Sequence, residues 1–92
     1  MKKRKKAVSL FYDEERQSAP KVTAIGKGLV AENIIKIAQE HDVPIYEDAS
    51  LVELLSQLDL QMEIPENLYE VVAEVFAFIY EADKEYKEKI DR

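Results

Sequence analysis

Cysteine and tryptophan are both absent from this 92-residue chain, which has only two glycines, three prolines and one histidine. Without thiols there is no disulfide framework, no thiolate zinc site and no cysteine nucleophile. A single imidazole, that of His41, excludes any centre that needs two. Two glycines cannot supply a Gly-x-Gly-x-x-Gly dinucleotide loop, and the phosphate-binding pattern GxxxxGK[ST] is missing as well. Nothing approaches the roughly 18 consecutive apolar residues of a transmembrane helix. The basic start, MKKRKK, gives way too soon to acids for a secretory leader, which needs about 7–15 apolar residues after its basic run. The chain is therefore read as one soluble, cytoplasmic domain, 1–92. Its core is modest, since a chain this short buries only about 60% of its unfolded surface.

Acids are plentiful. Nineteen of them against 13 bases give a net charge of -6, which argues against general nucleic-acid binding, where neutralised phosphates dominate affinity. Yet Lys2, Lys3, Arg4, Lys5 and Lys6 are consecutive. This basic N-terminal tail, 1–6, suits RNA, an acidic lipid surface or an acidic protein face. It better suits a solvated terminus that keeps the apolar strand after it from pairing edge to edge.

Ala7-Val8-Ser9-Leu10-Phe11-Tyr12 reads as a strand, nearly apolar throughout and flanked by charge. Pro20 opens a second strand, Lys21–Ile25, which Gly26-Lys27-Gly28 breaks. Val30, Ile34, Ile37 and Ala38, widened by Leu29 and Ile35, then form the apolar stripe of a helix running to about Glu40. Val43-Pro44-Ile45-Tyr46 is a third strand, completing a βαβ unit whose strands are parallel. Ser50 and Glu53 fit a capping box for a second helix with Leu51, Leu54, Leu55 and Leu58 on its inner face. Pro65 suits the first turn of a third helix built on Leu68, Val72, Val75, Phe76 and Ile79, with Phe78 offset and exposed. Residues 82–92 form a charged helical tail. The fold class is α/β, a small three-stranded mixed sheet with three helices.

Chemistry is sparse. Gly26-Lys27-Gly28 joins a strand to a helix, where phosphates bind helix N-termini, but a tight turn with unusual φ is the better reading. Asp13-Glu14-Glu15, Glu47-Asp48 and Glu63/Glu66 have no basic or nucleophilic partner nearby in sequence, and the EF-hand spacing is absent. No serine stands in a nucleophile elbow. The expectation is a protein that is not an enzyme, with no catalytic residue, no metal and no cofactor. Five tyrosines and three phenylalanines exceed what so small a core can hide, which favours a protein-binding module.

AVSLFYDEE (Ala7–Glu15), SAPKVTAIGKGLVAENIIKIAQEHDVPIYED (Ser18–Asp48) and EIPENLYEVVAEVFAFIYE (Glu63–Glu81) carry a resemblance. Their order and spacing resemble the C-terminal cytoplasmic domain of the FlhB/YscU family, the export-switch proteins of flagellar and virulence type III secretion. Members of that family have a membrane domain, and they cleave themselves between Asn and Pro of an NPTH loop just before the strand equivalent to Ala7–Tyr12. Lys2, Lys3, Arg4 and Lys5 stand at those four positions here, so the resemblance implies no self-cleavage. It also implies a domain without its first strand, the one that precedes the NPTH loop, and hence an open position in the sheet.

The family's domain helps to select export substrates through a small apolar patch. By motif position the patch falls on Ala19, Pro20, Ala73 and Phe76, where Phe76 replaces the family's usual leucine. Small side chains at Ala19 and Ala73 leave room for a concavity, although Ala73 and Phe76 also fit as ordinary core residues of the third helix. The implied partners are flagellar or type III export substrates and export-gate membrane proteins of FlhB type. Membrane association would come only through such partners, and a homodimer is compatible. Two other readings stay open: a structural docking factor for an FlhB-type membrane protein, and a basic-tailed adaptor for RNA or acidic membrane.

Overall fold

A computed structural model describes residues 5–13, 15–16 and 18–90, with side chains as far as residue 79. Strands β1 (Lys6–Phe11) and β2 (Lys21–Lys27) pair antiparallel, with Lys6 opposite Lys27 and Phe11 opposite Lys21. The register shifts between Ser9 and Leu10, where β2 carries Thr23 as an extra residue. The Thr23 hydroxyl lies 3.0 Å from Ser9 Oγ and 3.2 Å from the Ser9 carbonyl oxygen, anchoring the bulge. Lys6 thus belongs to the sheet, not to a tail, while Lys2, Lys3 and Arg4 lie outside the described residues.

Gly26, expected as a strand breaker, sits inside β2 opposite Ala7. A Cβ there would come within 2.6 Å of Val30 Cγ1 and 2.8 Å of Ile34 Cδ1, so the glycine lets the helix above lie close to the sheet. The turn comes at Gly28, with φ 59° and ψ -124°, whose N–H donates to the Lys5 carbonyl at 2.7 Å. Helix α1 (Leu29–Glu40) follows. Its burial differs from the expected stripe: Ala31 is fully buried, Ile34, Ile35 and Ala38 are half-buried, and Leu29, Val30 and Ile37 are exposed. The helix approaches so closely that only a small side chain fits the contact line, and two strands are too narrow to cover the larger ones.

The third strand does not form. Residues 43–46 form no regular element and join no ladder, so the sheet is two-stranded and antiparallel, not three-stranded and mixed, with no parallel pair among the described residues. The Val43 N–H donates 2.8 Å to Ala38 C=O, closing α1 in a Schellman arrangement with Asp42 at φ 56°. Pro44 has no backbone N–H, and among the described residues no strand pairs with the segment. β2 is bonded instead on its other side by the run 61–64. Val22 N–H donates to Met62 C=O (2.9 Å), Gln61 N–H to Val22 C=O (2.6 Å) and Ile64 N–H to Pro20 C=O (2.9 Å).

Helix α2 (Ala49–Leu55) is capped by Asp48, whose carboxylate accepts from Leu51 N–H at 3.0 Å; the expected cap, Ser50, lies inside the helix. Pro65 leads into a single 3-10 turn, Glu66–Leu68, that runs on into α3 (Tyr69–Ile90). The expected tail, 82–92, is thus helical to Ile90, and its side chains lie outside the described set. On the sheet face opposite α1, Ala19, Val22, Leu51, Leu55, Ile64, Leu68 and Val72 form the core, with Val8, Leu10, Val75 and Phe76 packed against it.

Candidate functional site

Ala19 and Pro20 precede β2, and both are buried, held by the bond from Ile64 N–H to the Pro20 carbonyl. The antiparallel register places the end of β1 beside them, which brings Tyr12 to the same end of the sheet. α3 crosses this end. Its inner residue Val72 is 1% exposed, while Tyr69, Ala73 and Ala77, four apart, share an outward stripe. Together these elements enclose an open groove of about 510 Å³. Ala19, Pro20, Ile64 and Val72 line it with Ala73 and Phe76, and Tyr12 and Tyr69 add aromatic surface to the lining. The Tyr12 and Phe76 rings are tilted at 44° with centroids 6.3 Å apart.

All four residues singled out in the sequence, Ala19, Pro20, Ala73 and Phe76, border this one groove. They differ in burial: Ala19 is closed off, Phe76 is half-buried, and Ala73 is exposed and so is not a core residue. Sequence reasoning missed Tyr12, Ile64 and Tyr69. Tyr69 carried a signal, being four residues before Ala73 on the same helix. Tyr12 and Ile64 depend on strand register and on the pairing of 61–64 with β2, which no local pattern reports.

The groove offers apolar surface with little polar chemistry. Ser18 Oγ lies 3.5 Å from a Glu63 carboxylate oxygen at one rim, and Glu70 and Glu74 each follow a groove residue on α3. Among the described residues no group of three or more His, Asp or Glu side chains is placed to hold a metal ion, and no helix is long and apolar enough to cross a membrane. An apolar trough of this kind can bind an apolar peptide segment.

Residues 4–79 match the profile of the FlhB HrpN YscU SpaS family. The chain belongs to this family. It is 55% identical over 85 residues to the uncharacterized protein YlqH of Bacillus subtilis, covering 92% of this chain and 91% of that one. It is 40% identical to the flagellar biosynthetic protein FlhB of the same organism, but there the match covers 80% of this chain and only 21% of FlhB. The chain thus spans about a fifth of the FlhB protein it matches. Among solved structures it is similar to the cytoplasmic domain of FlhB from Shewanella putrefaciens, with a TM-score of 0.87 at 32% identity, covering 90% of this chain and 65% of that one. The fold of this family member is therefore that of the FlhB cytoplasmic domain, built on a two-stranded sheet and three helices.

Proposed function

We propose that this protein is a non-enzymatic, cytoplasmic module of a flagellar or type III protein-export apparatus, which recognises export substrates by holding a short hydrophobic segment in the groove between Ala19-Pro20 and α3. One observation carries this reading: the four residues nominated by motif position, though distant in sequence, border a single apolar groove. The FlhB relatives make the export apparatus the natural setting, and FlhB-type gate proteins natural partners. A shallow site of this size binds weakly, with about -6 to -8 kcal/mol as its upper range, since association must offset lost translational and rotational freedom.

The test is a titration of the labelled protein with a peptide carrying a hydrophobic segment of an early rod or hook substrate. Amide signals of Ala19, Tyr69, Ala73 and Phe76 should move, with affinity in the micromolar range or weaker. Ala73→Asp sets a charge on the groove wall and should abolish binding. Because Ala73 is exposed, the variant should keep its fold, with a stability within about 1 kcal/mol of wild type. Signals that move only around Lys5 and Lys6 would show that the groove is not the site.

A further inference from the structure

The two long walls of the groove offer side chains and no main-chain edge. Pro20 has no N–H, and its carbonyl accepts from Ile64 N–H at 2.9 Å. Lys21 pairs with Phe11 on one side, while both Val22 backbone groups are taken from the other by Gln61 and Met62. The stretch that follows Ala19 is thus bonded along both of its edges. α3 forms the opposite wall. Leu68 N–H donates to the Pro65 carbonyl at 2.9 Å and Tyr69 N–H to that of Glu66, after which the helix bonds to itself. A guest lying between these walls finds no ladder to join, so strand addition is closed to it.

Length separates the remaining forms. The groove follows α3 from Tyr69 to Ala77, eight residues and so about 12 Å at about 1.5 Å each. An extended segment sets alternate side chains about 6.6 Å apart, and two of them fit within that length. A helix carries apolar side chains at i, i+3, i+4 and i+7 along about 10.5 Å of one face, so three or four enter the same groove.

The helical wall also permits close approach. Ala73 and Ala77 stand one turn apart and both are exposed. Side chains this small let a second helix come to the near end of the usual separation of about 8–10 Å. A proline-type helix is less well served. The Tyr12 and Phe76 rings, 6.3 Å apart between centroids, are in contact range of one another and leave no slot between them for a pyrrolidine ring.

We propose that the groove takes its guest as an amphipathic α-helix, laid along α3 with one apolar face against Ala19, Pro20, Ala73 and Ala77. This rests on the reading that the groove holds a hydrophobic segment of an export substrate, and it adds the form in which that segment is recognised. Selection then falls on segments able to set three apolar side chains on one helical face.

The probes are three peptides of zero net charge with the same leucines. The parent is acetyl-Ser-Glu-Leu-Lys-Ala-Leu-Leu-Ala-Glu-Leu-Lys-Gln-amide, with leucine at i, i+3, i+4 and i+7 and both alanines on the opposite face. In the second peptide the alanines become α-aminoisobutyric acid, which favours helix; in the third they become D-alanine, which breaks it. Affinity for a guest that binds as a helix scales with the fraction of free peptide already helical. Raising that fraction from about 10% to about 50% should tighten binding about fivefold, and the D-alanine peptide should bind about tenfold more weakly than the parent. Amide signals of Tyr69, Ala73 and Ala77 should move. Ala77→Leu keeps a good helix former at an exposed position but fills the line of approach, and should weaken the tightest peptide about tenfold. Equal affinity for the three peptides overturns the proposal and makes the groove a site for extended segments, and so does binding unchanged by Ala77→Leu. If none of the three binds while a hydrophobic substrate segment does, the helical form is wrong and the substrate site stands. If neither binds, both fall.

Discussion

At Gly28 the backbone adopts φ 59° and ψ -124°, a region closed to side chains by contact between Cβ and the carbonyl oxygens. No atom lies within 4 Å of where a Cβ would stand, so the constraint is purely conformational. Gly28→Ala should destabilise the protein by about 1–3 kcal/mol, outweighing the modest gain from a stiffer unfolded chain, and urea denaturation would measure it. Gly26→Ala tests a different cause, since its methyl would push Val30, Ile34 and the Ala31 backbone. That a glycine closes the strand–helix junction was legible in Gly26-Lys27-Gly28. Which glycine turns the chain was not, because the use of Gly26 for close packing depends on a helix that returns over the strand. The groove divides in the same way. Ala19, Pro20, Ala73 and Phe76 were legible through motif position, whereas Tyr12 enters only through the register that sets Phe11 opposite Lys21.

The elements show where local pattern gives out. Ser50-x-x-Glu53 is the capping box that the sequence offers for α2. In the fold Glu53 is engaged by Lys6 from β1, and the cap moves upstream to Asp48. Asp48→Ala should therefore cost about 0.5–2 kcal/mol of stability, while Ser50→Ala, inside the helix, should leave it nearly unchanged; paired thermal melts of the two variants decide the assignment. The segment 43–46 makes the same point for strands. Its apolar, β-branched character was read as a third strand, but a strand is a property of a pair, and among the described residues no partner pairs with it. Helices α1 and α3 were legible almost to their ends because their periodicity is long. The burial of α1 was not, since it depends on the width of the sheet beneath.

For the whole molecule, the order and spacing of motifs were enough to place the chain in its family. Self-processing belongs to this scale too. Cleavage at an Asn-Pro bond requires an asparagine side chain that attacks its own carbonyl in a strained turn, and this chain contains no Asn-Pro pair. Its asparagines are Asn33 and Asn67, the first within α1 and the second in the 3-10 turn before α3. Helical φ and ψ hold the backbone away from the geometry such an attack needs, and the amines that would leave belong to Ile34 and Leu68, the residues after the two asparagines, not to a proline. The protein should therefore remain a single species of 10.6 kDa through days at neutral pH, measured by intact-mass spectrometry. A pair of complementary fragments arising without protease would show that a bond elsewhere in the chain has taken over the role of the family's cleavage loop.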